Sequence, residues 1–199
     1  MKLFNKDIDF KSFFKAGVPP KDEPFGNFLI NGVMGSGKSY FAVLMAYKIS
    51  NKYTIKTNIK SLSIPGKRIE YFDRIQEIVQ DTGQYYLYII DELAKKYTKD
   101  SKQDTDFYEW LQHSRKCKRI VLLIHQEYLL VPNWLRSACF ENYTTHKLRF
   151  FPVFVTNRGI PYLDEDTKEW CVETNFSYIY KRNKYIANMY DTMETIPVL

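Results

Sequence analysis

The amino-acid sequence predicts an α/β fold in which a mainly parallel central sheet is flanked by helices and runs on into a β-rich C-terminal extension. Three observations carry this. Short runs that are apolar or aromatic throughout, Ile120–Ile124 and 85–90, read as strands buried on both faces. Helix-patterned stretches separate the strands, which implies parallel pairing through right-handed crossovers. Beyond Glu141 the pattern changes: 143–154, 170–180 and 184–190 predict short strands, with turns at Asn157-Arg158-Gly159 and Lys181-Arg182-Asn183.

Taken in order, residues 1–24 read as an N-terminal arm, because Pro19, Pro20 and Pro24 exclude a regular helix or central strand there. Phe4, Phe10, Phe13 and Phe14 have the spacing of a short amphipathic helix, packed either on the body of the protein or on a neighbouring subunit. The remainder, 25–199, reads as one domain, of which 141–199 is the β-rich extension. A short strand at 28–30 leads through a glycine-rich loop into a helix over Lys38–Lys48. Strands follow at 53–59 and 68–72, a short helix at Ile75–Val79, and the buried strand at 85–90. A charged loop occupies 92–106, a helix 107–116, and the second buried strand Ile120–Ile124. There is no internal repeat.

Composition bounds the function. The 199 residues are 45% hydrophobic and 26% charged, with 8 Gly and 8 Pro, which excludes collagenous, low-complexity and disordered classes. A chain of this size buries roughly 70% of its unfolded surface and needs neither disulfide nor structural metal. The net charge of +6 favours phosphate-rich partners or an anionic membrane surface. Cys117, Cys139 and Cys171 lack zinc-ligand spacing and read as reduced thiols in a cytosolic setting. The N-terminus has no signal-peptide core and the apolar runs fall far short of about 18 residues, so a soluble chain without a membrane span is expected.

The strongest motif is Gly32-Val33-Met34-Gly35-Ser36-Gly37-Lys38-Ser39, a G-x-x-x-x-G-K-[ST] phosphate loop placed after a predicted strand and at the start of a helix. Its glycines let successive backbone N–H groups curl round a phosphate, and the helix N-terminus adds its positive dipole. The nucleotide-binding set is therefore Gly32, Gly35, Ser36, Gly37, Lys38, Ser39 and Tyr40. Lys38 would pair with the β- and γ-phosphates of ATP, and the Ser39 hydroxyl would ligate Mg²⁺. The strand at 85–90 ends in Asp91-Glu92. Asp91 would hold Mg²⁺ through water, and Glu92 is placed to deprotonate an attacking water, which points to hydrolysis. Gln126 follows the third strand, and would face the γ-phosphate if that strand lies between the other two. Together these features specify a RecA-like P-loop fold of the ASCE type, with the Lys38, Gln126 and Asp91 strands side by side in that order.

The order of GSGKS, the hydrophobic strand with DE, Arg115, and a strand ending in Gln126 eleven residues later resembles the FtsK/HerA group of DNA-pumping P-loop ATPases. Within it the chain looks most like the Zot (zonula occludens toxin-like) family of filamentous-phage assembly ATPases. Thr57-Asn58-Ile59-Lys60-Ser61-Leu62, Leu135-Arg136 and Met189-Tyr190-Asp191-Thr192 resemble that family's T-N-x-x-x-L, Ile/Leu-Arg and Y-D-T segments. The resemblance implies Lys38, Ser39, Asp91, Glu92 and Gln126 at one subunit's nucleotide, with Arg115 or Arg136 reaching in from the next. It further implies a ring of six, viral DNA of one or two strands as the cargo, and a capsid or membrane-embedded assembly partner. The setting would be the host cytoplasm, at the inner membrane or at the packaging vertex of a virion. Zot-like proteins usually continue into a membrane span, so the chain reads either as a cytoplasmic fragment or as a stand-alone packaging ATPase of a membrane-containing phage.

Residues 95–119 hold eight cations, Lys95, Lys96, Lys99, Lys102, Arg115, Lys116, Lys118 and Arg119, interleaved with Tyr97, Phe107, Tyr108 and Trp110. That pattern fits a DNA-contacting surface, with aromatics stacking on bases, and equally a solvated loop and helix over core aromatics. A nucleotide or metabolite kinase is the rival enzyme class, although the adjacent acidic pair argues against it. A non-catalytic scaffold retaining the loop is the rival outside catalysis. A GTPase is discarded, because Ser101-Lys102-Gln103-Asp104 follows no buried strand.

Overall fold

The computed structural model describes residues 25–148 and 153–191. The N-terminal arm with its four phenylalanines lies outside them, as does Thr192 of the closing motif. Eight strands form one sheet: β1 (Gly26–Asn31), β2 (Thr54–Thr57), β3 (Arg68–Tyr71), β4 (Tyr86–Ile90), β5 (Ile120–Ile124), β6 (Glu141–Lys147), β7 (Val153–Leu163) and β8 (Trp170–Lys181). Their spatial order is β3-β2-β4-β5-β1-β6-β7-β8. The first six are parallel, and β7 and β8 pair antiparallel. β5 thus lies between β1 and β4, the arrangement the motifs require.

The helices are α1 (Lys38–Lys48), α2 (Ile75–Val79), α3 (Thr105–Gln112), α4 (Asn133–Ala138) and α5 (Lys184–Ala187). Period-two alternation sorts the central strands between two cores. Phe28, Ile30, Leu87, Ile89, Leu122 and Ile124 pack with α1 and α5, whereas Leu29, Tyr88, Ile90, Val121 and Leu123 pack with α2, α3 and α4. Strands lined on both faces must be apolar throughout, which is why 85–90 and Ile120–Ile124 were so legible. α3 is capped by Asp104, whose carboxylate accepts from the Phe107 N–H at 3.2 Å.

The C-terminal extension departs from expectation in three places. Residues 184–190 are not a strand: Asn183 caps a helical turn by accepting from Tyr185 N–H at 2.8 Å, and Lys184–Ala187 is α5. Of the strand expected at 143–154, residues 143–147 belong to β6 and 153–154 to β7. Asn157-Arg158-Gly159 is no turn but the middle of β7, where the register against β8 shifts between Arg158 and Gly159. A glycine after polar residues serves a bulge as readily as a turn. Arg158 there is buried and pairs with the buried Glu141, its Nε donating to Oε2 at 3.0 Å.

Candidate active site

Every residue of the predicted hydrolytic set follows the carboxyl end of β1, β4 or β5. α1 leaves β1 over one face, while α3 and α4, on either side of β5 in the chain, cover the other, so the crevice between these strand ends is a topological switch point. Gly32 N–H donates to the Gln126 carbonyl at 2.5 Å, which stitches the phosphate loop to the end of β5.

The loop is held from below. Gly37, immediately before α1, has φ 97°, and a Cβ there would lie 2.6 Å from the Phe154 ring. Gly32 has φ 144°, and a Cβ would meet the Thr145 carbonyl at 2.5 Å. Both the backbone conformation and the space demand glycine. Ser36 is buried with its Oγ 2.7 Å from Thr145 Oγ1, which in turn donates to the Asn31 carbonyl at 3.2 Å. Ser36 therefore braces the loop on β6. Tyr40 likewise turns inward: it is buried, stacks on Phe154 at 5.3 Å, and its hydroxyl accepts from Asn183 N–H at 2.9 Å. Its side chain belongs to the core, and its main chain lies on the phosphate-facing first turn.

Lys38 Nζ donates to the carbonyls of Gly32 and Val33 at 2.9 and 3.1 Å. Burial lowers its pKa, against the opposing pull of Asp91 and Glu92. Ser39 Oγ donates to Asp91 Oδ2 at 2.6 Å, and Glu92 N–H donates to Asp91 Oδ1 at 2.7 Å. Asp91 is buried, and burial pushes its carboxyl above the usual range, although the Ser39 hydroxyl and Glu92 N–H favour the ionised form. A hydroxyl and a buried carboxylate meeting at this distance are the hard-oxygen donor set Mg²⁺ takes when nucleotide phosphates and water complete its shell. Among the described residues no cluster of three His, Cys, Asp or Glu is assembled to hold a metal by itself.

Asn58 has a role that its place in the Thr57–Leu62 segment does not specify. Its Nδ2 donates to the Asp91 carbonyl at 2.9 Å and its Oδ1 accepts from Asp91 N–H at 2.8 Å. A buried side-chain amide thereby replaces a backbone pair one residue past the end of β2. A polar residue closing the strand beside the acidic one is the only signal the sequence held. Thr145 left none, because its partner is 109 residues away.

Glu92 follows at φ 57°, ψ 35°, the left-handed region, and its carboxylate pairs with Lys95. Gln126 is exposed beyond the end of β5. His125 before it is buried, and its Nε2 donates to the Tyr97 carbonyl at 2.9 Å. Burial lowers its pKa, so it stays neutral, as suits a structural histidine.

The two arginines expected to act on a neighbour's nucleotide separate clearly. Arg136 is buried in its own chain, and donates to the carbonyls of Val131 at 2.8 Å, Leu129 at 2.7 Å and Trp170 at 3.2 Å while lying over the Tyr128 ring. Its fork is used up, a correction to its expected role. Arg115 is exposed, its guanidinium 4.4 Å from the Phe140 ring, beside the amino ends of β1 and β6. That is the edge opposite the phosphate loop, so Arg115 does not serve its own subunit's site.

The eight cations split across the same two edges. Lys95, Lys96, Lys99 and Lys102 lie in the loop after β4; Arg115, Lys116, Lys118 and Arg119 lie in the turn before β5. Arg119 is buried, its Nε donating to the Gly83 carbonyl at 3.2 Å. Tyr97, Phe107 and Trp110 are core residues, and Tyr108 is partly buried against the same core. No helix among the described residues is long and apolar enough to cross a membrane.

No family model and no curated protein sequence matches the chain. Solved structures do. The N-terminal domain of zonular occludens toxin from Neisseria meningitidis is similar over 83% of this chain and 98% of that one, with TM-score 0.58 and 19% identity. The RadB recombinase is similar over 80% and 89%, with TM-score 0.54 and 13% identity. The genome packaging NTPase B204 of Sulfolobus turreted icosahedral virus 2, solved in complex with ATP-gammaS, is similar over 77% and 98%, with TM-score 0.50 and 16% identity. Identities this low speak to architecture, and with the site geometry above they give the chain a RecA-like P-loop NTPase fold similar to that of the Zot N-terminal domain.

Proposed function

We propose that the chain is an ATP-hydrolysing motor that moves viral DNA during virion assembly, working as a homo-oligomer with nucleotide sites at subunit boundaries. The observation that carries hydrolysis is the meeting of Ser39 and Asp91 at 2.6 Å, with Glu92 one residue on and Lys38 on the same loop. Mg²⁺ held by Ser39 and Asp91 would neutralise charge developing on the phosphates. Lys38 exchanges its loop carbonyls for the β- and γ-phosphates, and backbone N–H groups of the loop and the first turn of α1 cradle the same oxygens. Glu92 accepts the proton of the attacking water, and Gln126, exposed at the end of the intervening strand, orients that water.

Likeness to a genome packaging NTPase supports DNA as the cargo, and the family resemblance implies a capsid or membrane-embedded partner as the dock. Arg115 supports oligomeric action, since an exposed arginine on the edge away from its own site is free to reach a neighbour's. A ring of six follows from the family resemblance.

The test is ATP hydrolysis by wild type and Glu92→Gln across a protein-concentration series, with and without single- and double-stranded DNA. Turnover that rises with concentration and with DNA, and falls about 10²- to 10⁴-fold in Glu92→Gln while nucleotide binding persists, supports the motor. Phosphate transfer to an added acceptor would support a kinase instead. Nucleotide binding without turnover under any condition would support a scaffold.

A further inference from the structure

Glu92 is already engaged. Its carboxylate pairs with Lys95 Nζ three residues on, across the 3-10 turn Leu93–Lys95. The turn is shaped to make this pair: Lys95 N–H donates to the Glu92 carbonyl at 3.0 Å, and Tyr97 N–H to the Leu93 carbonyl at 2.8 Å. Everything behind the pair is fixed. Leu93 is fully buried, the Tyr97 carbonyl is held by His125, the Tyr97 hydroxyl donates to Asp104 at 2.6 Å, and Trp134 Nε1 donates to the Ser101 carbonyl at 3.2 Å.

The two side chains are partly exposed, Glu92 40% and Lys95 38%, although the paired Glu92 Oε2 is itself covered. Exposed pairs of this spacing are weak, and favour the closed form by only about two- to fivefold. Lys95 also opens the run Lys95, Lys96, Lys99, Lys102, on the loop that follows the catalytic strand. Lys99 is half-exposed, 3.6 Å from Glu169, and can meet a phosphate, whereas Lys96 is largely covered, over the Tyr97 ring and 4.0 Å from Asp104.

We propose that the Glu92–Lys95 pair is a self-inhibitory clasp which the DNA backbone opens. A phosphodiester oxygen takes the Lys95 ammonium, and the Glu92 carboxylate, released, accepts the proton of the attacking water. The left-handed backbone at Glu92 fits a residue kept in a second conformation until that exchange occurs. The proposal rests on the motor reading and supplies its coupling: hydrolysis is slow until cargo occupies the loop. If the closed form outweighs the open one by two to five, freeing Glu92 multiplies turnover by about three to six.

The experiment compares wild type, Lys95→Gln and Lys95→Arg at saturating ATP and Mg²⁺, without DNA and with increasing 40-mer duplex, with DNA affinity followed by fluorescence anisotropy and folding by thermal melting. Lys95→Gln is expected to raise DNA-free turnover about three- to sixfold and to flatten the response to duplex. Lys95→Arg, which keeps the pair, is expected to stay slow without DNA and to respond to it. A folded Lys95→Gln with wild-type DNA-free turnover, beside a wild type that DNA stimulates, overturns the clasp and leaves the motor standing. A wild type whose turnover ignores DNA overturns both.

Discussion

At the carboxyl ends of β1, β4 and β5, Lys38, Ser39, Asp91 and Glu92 bond to one another or to loop carbonyls at a strand edge, where a ligand can displace those bonds. Along β6 and β7 the same kinds of side chain do the opposite. Glu141, Tyr143 and Arg158 are spent on one another in the interior, and the Arg136 guanidinium is spent on carbonyls. Place along a strand, more than residue type, separates a reactive group from a structural one. A strand end leaves orbitals and charges for a partner, whereas a strand middle must satisfy them within the chain.

The largest expected effect lies in the interior. Arg158→Ala strands Glu141 as a buried carboxylate and should cost about 3–5 kcal/mol, read as a lower denaturant midpoint, while the nucleotide affinity of the folded fraction holds. Loss of nucleotide affinity in the folded fraction would break the distinction between the two regions. Gly37→Ala tests where they touch, since the added methyl meets the Phe154 ring at a φ of 97°. A cost of about 1–3 kcal/mol is expected, together with weaker nucleotide binding, by calorimetry.

Asp91→Asn should act in the other direction. Burial raises the Asp91 pKa, so the folded protein holds this proton more tightly than the unfolded chain does. Without nucleotide, the Asp91 contribution to stability therefore declines as pH rises from about 3.9 through the raised value, and then levels. Asp91→Asn removes that decline and should melt higher at neutral pH, read by thermal denaturation, while losing Mg²⁺-dependent turnover. A melting temperature that falls instead would mean the carboxylate is structural, as Glu141 is.

What could be read without coordinates follows the same division. The phosphate loop, the acidic pair and the order of the three central strands were legible, because local spacing and buried apolar runs encode them. Gln126 reaches the predicted edge because Ile120–Ile124 is flanked by β1 and β4. The extension was misread wherever a local signal met a distant partner. Asn157-Arg158-Gly159 has turn chemistry, yet β6 and β8 on either side hold it extended. Residues 184–190 look strand-like, yet Asn183 caps a helix there. Arg136 matched a motif with an expected role, but its carbonyl partners at Leu129, Val131 and Trp170 were visible only in three dimensions.

Asn58 bears on how the site divides its labour. By grasping both main-chain polar groups of Asp91, its amide makes that residue a rigid continuation of the sheet. The grip ends at the next peptide, where Glu92 turns into a left-handed conformation of its own. Anchor and swivel are thus adjacent residues: the carboxylate suited to a metal stays stationary, held also by the Glu92 N–H, while the Glu92 side chain alone can turn toward water or back to Lys95. A shift in β2 would carry the anchor along, and a shift in the loop after β4 would move only the swivel.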